Sequence, residues 1–289
     1  MFQRFKNKIP YFILAGLAAA AIFVWSEVLV QQPDHKLKID FFDVGQGEAI
    51  LIDAPNGNQV LIDGGPSDTI LAKLGEALPF SDRKIELVIL THPDADHLSG
   101  LVEVLKRYDV GEILETGILG SSAEYQIWNE LIKTKKIPVV FARAGQVVSL
   151  ADGVAIKILY PVNKINGQDY SDKTNNTSIV GKIVYGKNSV LFTGDAEAAA
   201  ENALLLSHEN LKADILQVGH HGSKNSSGQE FLNAIAPVTA VIQVGANNKY
   251  GHPTPEVLDR LKGIKVFRTD QDGNVDFSCD LNECVRQED

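Results

Sequence analysis

One short segment restricts the possible folds of this chain more than any other, because it joins a buried strand to a cluster of polar side chains. The run ELVIL, at residues 86–90, is apolar after its first residue, which is typical of a strand covered on both faces of a parallel sheet. It leads into THPDADHLSG, which contains His92, Asp94, Asp96 and His97. So many costly polar groups at the end of a buried strand predict a shared chemical task.

The residue types in this segment are those that bind divalent metals. Neutral imidazole nitrogens and carboxylate oxygens suit zinc and similar ions. Alternate residues of a loop can point to the same side, so His92 and Asp94 can share one ion. Asp96 and His97 can turn to a second ion, with His97 opening the helix that follows. A polar surface loop is the competing interpretation, and four potential ligands so close together argue against it.

Apolar runs separated by turns divide the rest of the chain into strands and helices. Asn56 and Gly57, between two apolar runs, predict a hairpin. Helices are predicted at residues 69–77, from about 98 to 108, and at residues 122–135. The second half begins again with strands and ends with the predicted strand KVFRTD. Sheets with helices between their strands in both halves predict two packed sheets flanked by helices in one domain.

The N-terminal segment has the pattern of a membrane anchor. Residues 9–25 contain no charged side chain and follow the basic sequence MFQRFKNK; with residues 26–30 they would span a hydrocarbon core if helical. No small-x-small cleavage site follows. The sequence therefore predicts a basic cytoplasmic flank at residues 1–8, an uncleaved single-pass anchor at 9–30 and a linker at 31–36. The positive-inside rule places the domain at residues 37–289 outside the cytoplasm.

Cysteine and charge content add two further expectations. Cys279 and Cys284 are separated by four residues, close enough for a hairpin disulfide outside the cytosol, and two free thiols are the alternative. The net charge of −10 argues against a broad basic surface that grips nucleic acid. A phosphate-bearing substrate is still possible, because bound metal cations reverse the local field.

The chain resembles the metallo-β-lactamase superfamily in the order of four motifs, one of which is the metal-ligand segment. The superfamily signature HxHxDH matches the segment from His92 to His97, with aspartate at the second position. LIDGG places Asp63 at the aspartate that supports the metal loop, and LFTGD places Asp195 at the aspartate that bridges two metals. GHHGS supplies the final histidine. The resemblance implies an α/β (α+β) fold, a four-layer αββα sandwich, here preceded by one transmembrane helix.

A narrower resemblance is to the C-terminal hydrolase domain of the ComEC/Rec2 competence proteins and to its free-standing relatives. The segments that carry it are DVGQGEA, THPDADHLSG, NNTS, LFTGDAE, VGHHGSKNSS and KYGHPTPEVLDRL. Those relatives commonly carry HxDxDH, so Asp94 is a trait of the subgroup. Glu48 departs from the usual DVGQGD.

The resemblance implies two divalent ions, zinc or manganese, as cofactors. The predicted ligands are His92, Asp94 and Asp195 for the first ion, and Asp96, His97, Asp195 and His221 for the second. Asp63 and Gln46 are predicted to support them. The superfamily's middle histidine is replaced here by the segment Asn175-Asn176-Thr177-Ser178. The first site should therefore be richer in oxygen ligands, weaker, and shifted from zinc toward manganese or magnesium.

Catalytic and substrate-binding roles follow from the same resemblance. The predicted catalytic residues are Asp94, Asp96, His220 and His252. The predicted substrate-binding residues are Asn175, Asn176, Ser178, Ser223 and His252. Neighbours on an extended backbone point opposite ways, so one of His220 and His221 should bind metal while the other faces the substrate or the core. His221 is favoured as the ligand.

The implied activity is metal-dependent hydrolysis of a phosphodiester. Two cations bridged by Asp195 would activate a shared water. By analogy with the competence domain, the predicted substrate is DNA outside the membrane, with DNA-uptake machinery as a possible partner. One alternative is hydrolysis of another extracellular ester, such as a cell-wall phosphodiester or a lactone. Another is a non-catalytic accessory protein of DNA uptake whose metals are structural.

Overall fold

The computed structural model describes residues 8–30, 36–168 and 174–287. They divide into two compact units, Met1–Asp34 and His35–Asp289. Most of the predicted basic flank and of the predicted linker lies outside the described residues.

The first unit contains one helix, α1, at Ile9–Val30. The large apolar side chains between Tyr11 and Trp25 are exposed. Within the described residues, no helix meets the combined requirements of length and apolar character for crossing a membrane. The structure therefore does not support the expected transmembrane helix, and anchoring stays a prediction.

Eight strands form the first sheet of the second unit. They are β1 (Leu37–Phe41), β2 (Ile50–Asp53), β3 (Gln59–Ile62), β4 (Lys84–Leu90), β5 (Asp109–Glu115), β6 (Val139–Phe141), β14 (Val275–Cys279) and β15 (Cys284–Arg286). Their spatial order is β15-β14-β1-β2-β3-β4-β5-β6. The pairs from β3 to β6 are parallel, and the others are antiparallel. The hairpin predicted around Asn56 and Gly57 connects β2 and β3.

Seven strands form the second sheet. They are β7 (Val147–Ala151), β8 (Val154–Tyr160), β9 (Val180–Tyr185), β10 (Asn188–Phe192), β11 (Ile215–Gln217), β12 (Thr239–Ile242) and β13 (Lys265–Arg268). Their spatial order is β13-β12-β11-β10-β9-β8-β7. The pairs from β10 to β13 are parallel. Each sheet therefore contains four parallel strands whose carboxyl ends share one edge, which is where open α/β sheets place their ligand sites.

Helices cover the outer face of each sheet. Those on the first sheet are α2 (Thr69–Ala77), α3 (Ala95–Arg107) and α4 (Ala123–Lys135). Those on the second are α5 (Ala198–Leu206), α6 (Gln229–Ile235) and α7 (Pro255–Arg260), and a short helix α8 (Thr269–Asp272) follows β13. A separate apolar core joins the inner faces of the two sheets. The predicted sandwich of two sheets is confirmed, with helices outside both.

The C-terminal strands differ from the sequence expectation. β14 returns to the first sheet and pairs with β1, beyond the strand KVFRTD at which the predicted fold ended. Cys279 and Cys284 lie opposite each other in the hairpin of β14 and β15 and form a disulfide. The disulfide thus closes the edge of the first sheet.

Candidate metal centre

The loop after β4 presents the clustered ligands because α3 begins within it. Asp94 is the N-cap of α3, and Asp96 and His97 lie in its first turn. His92 and His97 are fully buried, whereas the side chain of Asp94 is 38% exposed. An acidic residue in the first turn is stabilised by the helix dipole. The strand therefore fixes His92, and the helix fixes Asp96 and His97.

Asp63, at the end of β3, holds this loop in place. Its fully buried carboxylate accepts hydrogen bonds from the Thr91 backbone N–H (2.8 Å), the Thr91 hydroxyl (2.6 Å) and His97 Nδ1 (2.7 Å). Asp63 has a positive φ of 56°. The contact between Asp63 and His97 requires α3 to pack closely against the segment after β3. Gly100 of α3 allows this, because a Cβ at that position would lie only 1.8 Å from the Gly64 carbonyl oxygen. The predicted supporting position of Asp63 therefore corresponds to a defined contact.

Asp195 lies at the centre of the site, and its two oxygens face different histidines. Asp195 Oδ1 lies 3.3 Å from His97 Nε2 and 3.7 Å from His221 Nε2. Asp195 Oδ2 lies 3.8 Å from His92 Nε2 and 3.7 Å from His220 Nε2. The Asp195 backbone N–H donates to Ser178 Oγ (3.1 Å), which fixes this carboxylate after β10.

The backbone at His220 and His221 explains why both rings reach Asp195. The two residues follow β11 with φ angles of 49° and 53°, in the left-handed region that non-glycine residues seldom adopt. The expectation that one ring would point away assumed an extended backbone. The left-handed turn instead directs both rings to the same carboxylate. Such strain is typical of a functional site.

The four histidines share one arrangement, in which Nδ1 contacts an outer partner and Nε2 faces the carboxylates. The Nδ1 partners are Asp63 for His97 (2.7 Å), Ser178 Oγ for His92 (3.2 Å), the Gln243 carbonyl for His221 (2.8 Å) and Glu197 Oε1 for His220 (3.1 Å). Metal-bound histidines are usually oriented in this way, because the outer hydrogen bond fixes the tautomer. His220 shows the same pattern as the three predicted ligands, although the Asn175 amide nitrogen also lies 3.3 Å from its Nε2 atom.

The residues fit a divalent ion at the second predicted site. Ligand atoms of Asp96, His97, Asp195 and His221 all lie within 4.8 Å of one another. Among the described residues, His92 Nε2, His97 Nε2 and Asp195 Oδ1 are buried without a hydrogen-bond partner. Buried polar atoms are rarely left unpaired; a cation at this site would satisfy His97 Nε2 and Asp195 Oδ1, and one at the first predicted site would satisfy His92 Nε2. Two imidazole nitrogens and two carboxylates are a donor set that suits zinc or manganese.

A second group of donors lies on the other side of Asp195. His92 Nε2 is 3.6 Å from Asp94 Oδ2 and 3.8 Å from Asp195 Oδ2. His220 Nε2 approaches the same oxygen of Asp195 at 3.7 Å. These residues could hold the first predicted ion, and His220 extends the predicted set by one imidazole.

The charges of the site stabilise one another strongly. Burial opposes ionisation of Asp195, but the positive charges of His97 and His221 hold its pKa well below the usual range. Burial also opposes a charged His221, yet the carboxylates of Asp195 and Asp96 raise its pKa to about 9. The pKa of His97 is likewise raised, against burial, by Asp195 and Asp63. These protons would be displaced on metal binding, as ligand imidazoles must be neutral.

His252 contributes a different kind of imidazole. Its pKa is lowered to about 4, first by burial and then by the charges of His220 and His221. Its ring meets the His220 ring edge-on, with 5.4 Å between centroids. His252 therefore stays neutral at physiological pH beside the metal ligands.

A cleft of about 200 Å³ opens above these residues. Some of the predicted substrate-binding residues line it, and others do not. Its lining includes Asn175, His220, His252, Gln46, Asp94, Asp96, Asp195, His221 and Tyr250. Asn176, Ser178 and Ser223 do not line it. Asn176 instead binds Glu197 and the backbone N–H of Ala200, and Ser178 lies between His92 and Asp195. Ser223 is buried and accepts from the Asn225 backbone N–H.

Several residues around the site were not predicted from the sequence. Glu197 follows Asp195 by two positions in LFTGDAE and orients His220. Glu48 is buried, and burial raises its pKa to about 8. Its carboxylate accepts a hydrogen bond from Gln217, whose amide oxygen accepts from the backbone of Thr193 and Gly194. The departure at Glu48 was visible in the sequence, but its contact across the two sheets was not.

Known proteins resemble this chain in both sequence and fold. Residues 42–245 match the family model described as the metallo-beta-lactamase superfamily. ComE operon protein 3 of Bacillus subtilis is 32% identical over 260 residues, which cover 83% of this chain and 33% of that protein. Recombination protein 2 of Haemophilus influenzae is 35% identical over 233 residues, which cover 79% of this chain and 27% of that protein. The metallo-beta-lactamase fold protein YhfI of Bacillus subtilis has a TM-score of 0.57 at 13% identity, covering 84% of this chain and 100% of that one.

These similarities differ in what they establish. The chain spans about a third of the length of the curated relatives it matches. The likeness to YhfI, at 13% identity, concerns the fold alone. The family match extends over more than half of the chain and includes the segments that supply His92, Asp195 and His221. The chain therefore belongs to the metallo-β-lactamase superfamily of hydrolases, as a ComEC/Rec2-like member.

Proposed function

We propose that this chain is a metal-dependent phosphodiesterase that cleaves DNA outside the membrane to which its N-terminal segment anchors it. One observation carries the proposal: four imidazoles, each held at Nδ1 by an outer partner, cluster with three carboxylates at the base of an open cleft, and all three carboxylates line that cleft. A purely structural metal site would be closed by its ligands. The open side of this cleft leaves room for a substrate.

Two divalent ions, zinc or manganese, are the proposed cofactors. When bound, such ions lower the pKa of a coordinated water and neutralise charge that develops on a phosphoryl oxygen. The chain's own part is to hold the donors apart at fixed positions. Asp195 separates two groups of ligands with its two oxygens, while Asp63 and Glu197 fix the rings of His97 and His220.

His252 has a proposed role at the leaving group. Because its pKa is lowered to about 4, it is neutral near pH 7 and is a poor source of a proton. A neutral ring can still donate one N–H hydrogen bond to an oxygen. We therefore assign to His252 the positioning of a phosphate or leaving oxygen in the cleft, and not the supply of a proton.

DNA is the proposed substrate because two relatives are named for DNA-related processes. They are a competence protein of Neisseria gonorrhoeae and a recombination protein of Haemophilus influenzae. Because these names concern competence and recombination, cooperation with DNA-uptake machinery is also part of the proposal. The anchor and the extracytoplasmic location rest on the uncharged segment at residues 9–25 and its basic flank.

The test uses the full chain, purified in mild detergent and loaded with manganese or zinc. Single-stranded DNA, bis-p-nitrophenyl phosphate and a lactone are offered as substrates. We expect cleavage of both phosphodiesters, its loss in Asp96→Ala, and its retention in the control Glu130→Ala, which changes an exposed residue of α4. Cleavage of the lactone alone would favour the other ester-hydrolase function. No cleavage of any substrate with metal bound would favour a non-catalytic accessory role.

A further inference from the structure

A second groove adjoins the metal cleft. It encloses about 460 Å³ and is lined by Pro66, Ala95, Lys249 and Tyr250, among others. Gln46, Asp96 and Tyr250 line both the groove and the cleft, so the two are continuous. One substrate molecule can therefore extend from the cleft into this groove.

Tyr250 presents an aromatic ring at the junction of groove and cleft. Its side chain is 56% exposed, although its ring stacks on His252 with 5.9 Å between centroids and 26° between planes. His252 in turn contacts the ring of His220. A row of three rings thus leads from the groove to Asp195, and Tyr250 is the outermost.

The loop that carries Tyr250 is held in one conformation by Asn248. The amide of Asn248 donates to the carbonyls of Gly245 (3.0 Å) and His252 (2.6 Å). Its oxygen accepts from the backbone N–H groups of Tyr250 (3.2 Å) and His252 (3.0 Å). Gly245 N–H also donates to Gln46 Oε1, which ties the loop to the first sheet. A preorganised ring loses little conformational entropy when it binds a partner.

The charge beside the ring restricts what can stack on it. Lys249 Nζ lies 5.1 Å from the centroid of the Tyr250 ring. The positive charge of Lys249 would repel a quaternary ammonium such as choline, whereas an uncharged base could take the place of the ammonium group over the ring. Lys249 would attract a phosphate. A flat uncharged ring joined to a phosphate satisfies both side chains, and nucleotides have this chemistry.

We propose that Tyr250 and Lys249 form a nucleobase subsite, in which one base of a single-stranded nucleic acid stacks on Tyr250 while Lys249 pairs with an adjacent phosphate. The proposal rests on the phosphodiesterase function and adds to it a preference for unpaired bases, because the faces of a base inside a duplex are covered by the neighbouring base pairs. Stacking of this kind is tolerant of base identity. The subsite therefore recognises nucleic acid without reading its sequence.

The experiment compares two single-stranded oligonucleotides of equal length with cleavage-resistant phosphorothioate linkages, one with bases and one composed of abasic tetrahydrofuran units. Binding to the metal-loaded full chain is measured by fluorescence anisotropy. We expect Tyr250→Leu, which keeps apolar bulk but removes the ring, to weaken binding of the base-bearing strand by about 5- to 150-fold. Binding of the abasic strand should not change. Tyr250→Phe should restore the preference for bases, and Lys249→Gln should weaken both strands equally.

A matched control removes an equivalent ring elsewhere. Phe80 is 85% exposed, has the guanidinium of Arg83 5.8 Å from its centroid, and precedes β4 at the end remote from the metal centre. Phe80→Leu should alter neither affinity. Metal content, measured by mass spectrometry, should match the wild type in every variant.

The outcomes separate the subsite from the proposed function. Equal affinity of the wild type for both strands, or an equal loss for both in Tyr250→Leu, would overturn the subsite even if bis-p-nitrophenyl phosphate is cleaved. Base-dependent binding without cleavage of any phosphodiester would overturn the function and leave the subsite. If phosphocholine competes with the base-bearing strand for the wild type but not for Tyr250→Leu, the subsite binds a choline headgroup and the nucleobase proposal is wrong.

Discussion

Replacing Asp63 by asparagine should remove metal from one site by changing a tautomer. Three donors point at this fully buried carboxylate, and asparagine offers only one oxygen. If the amide oxygen faces His97, the NH₂ group faces the backbone N–H of Thr91, which lies 2.8 Å from Asp63 Oδ1. A buried N–H without an acceptor costs about 1–3 kcal/mol.

In the opposite orientation of the amide, the affinity for the metal is reduced instead. The NH₂ group would then lie where Asp63 Oδ2 accepts from His97 Nδ1 at 2.7 Å, so Nδ1 must become the acceptor. The ring proton moves to Nε2, which faces Asp195 at 3.3 Å and is the atom that would bind the ion. Loss of an orienting partner lowers metal affinity about 10- to 100-fold.

Both costs can be measured on Asp63→Asn. Competition with a fluorescent chelator should show the affinity of one ion falling by that factor, while urea unfolding in chelator shows a loss of stability of at most about 3 kcal/mol. Asp68→Asn, at an exposed position five residues later, should behave as wild type. The reasoning is refuted if Asp63→Asn binds both ions as tightly as the wild type and unfolds at the same urea concentration.

Glu197→Gln should lower the affinity for one ion about 10- to 100-fold, because Glu197 orients His220. A chelator titration that is unchanged in both Glu197→Gln and His220→Ala would contradict this. Burial, with a carboxylate on the neighbouring strand, raises the pKa of Asp40 from 3.8 to about 7. The native state holds this proton longer than the unfolded chain, so stability is lost as pH rises from about 4 to 7. Asp40→Asn should raise the free energy of unfolding by ~1–4 kcal/mol at pH 8 and by little at pH 4, as measured by urea unfolding. An equal effect at both pH values would contradict the raised pKa of Asp40. Serine at Cys279 and Cys284 should lower the unfolding free energy by about 2 kcal/mol with metal content unchanged, and no change in urea midpoint would contradict it.

The parts of the fold that depend on local pattern could be predicted from the sequence. The apolar run of β4 and the helix after it were predicted, although α3 begins at Ala95, three residues earlier than expected. The pairing of β14 with β1 could not be predicted. It joins residues more than 200 positions apart, such as Phe41 and Val275, and no local periodicity encodes such a partner.

The candidate site shows the same division. Short motifs carry Asp63, His92, Asp96, His97, Asp195 and His221, and the structure brings these residues together. What the sequence did not contain was the backbone conformation at His220 and His221, since left-handed residues without glycine have no simple signature. The role of Glu197 depends on that turn and could not be inferred without it.

The turn also changes how the first metal site compares with the second. From the sequence, Asp94 and Asn175 each replace an imidazole by an oxygen-bearing side chain, which predicted a harder and weaker first site. With His220 as a ligand, an imidazole returns from another loop, and Asn175 lies 3.3 Å from its Nε2 atom. Each group of donors then contains two histidines, one aspartate of its own and the shared Asp195.

A difference between the two sites would then arise from solvent exposure and not from ligand type. At the first site the side chains of Asp94 and His220 are 38% and 22% exposed, whereas that of His92 is 0% exposed. At the second, His97 and His221 are 0% and 2% exposed, although Asp96 is 32% exposed. Water screens and competes with exposed ligands more than with buried ones. The first ion should therefore exchange faster than the second, even where both sites hold the same metal.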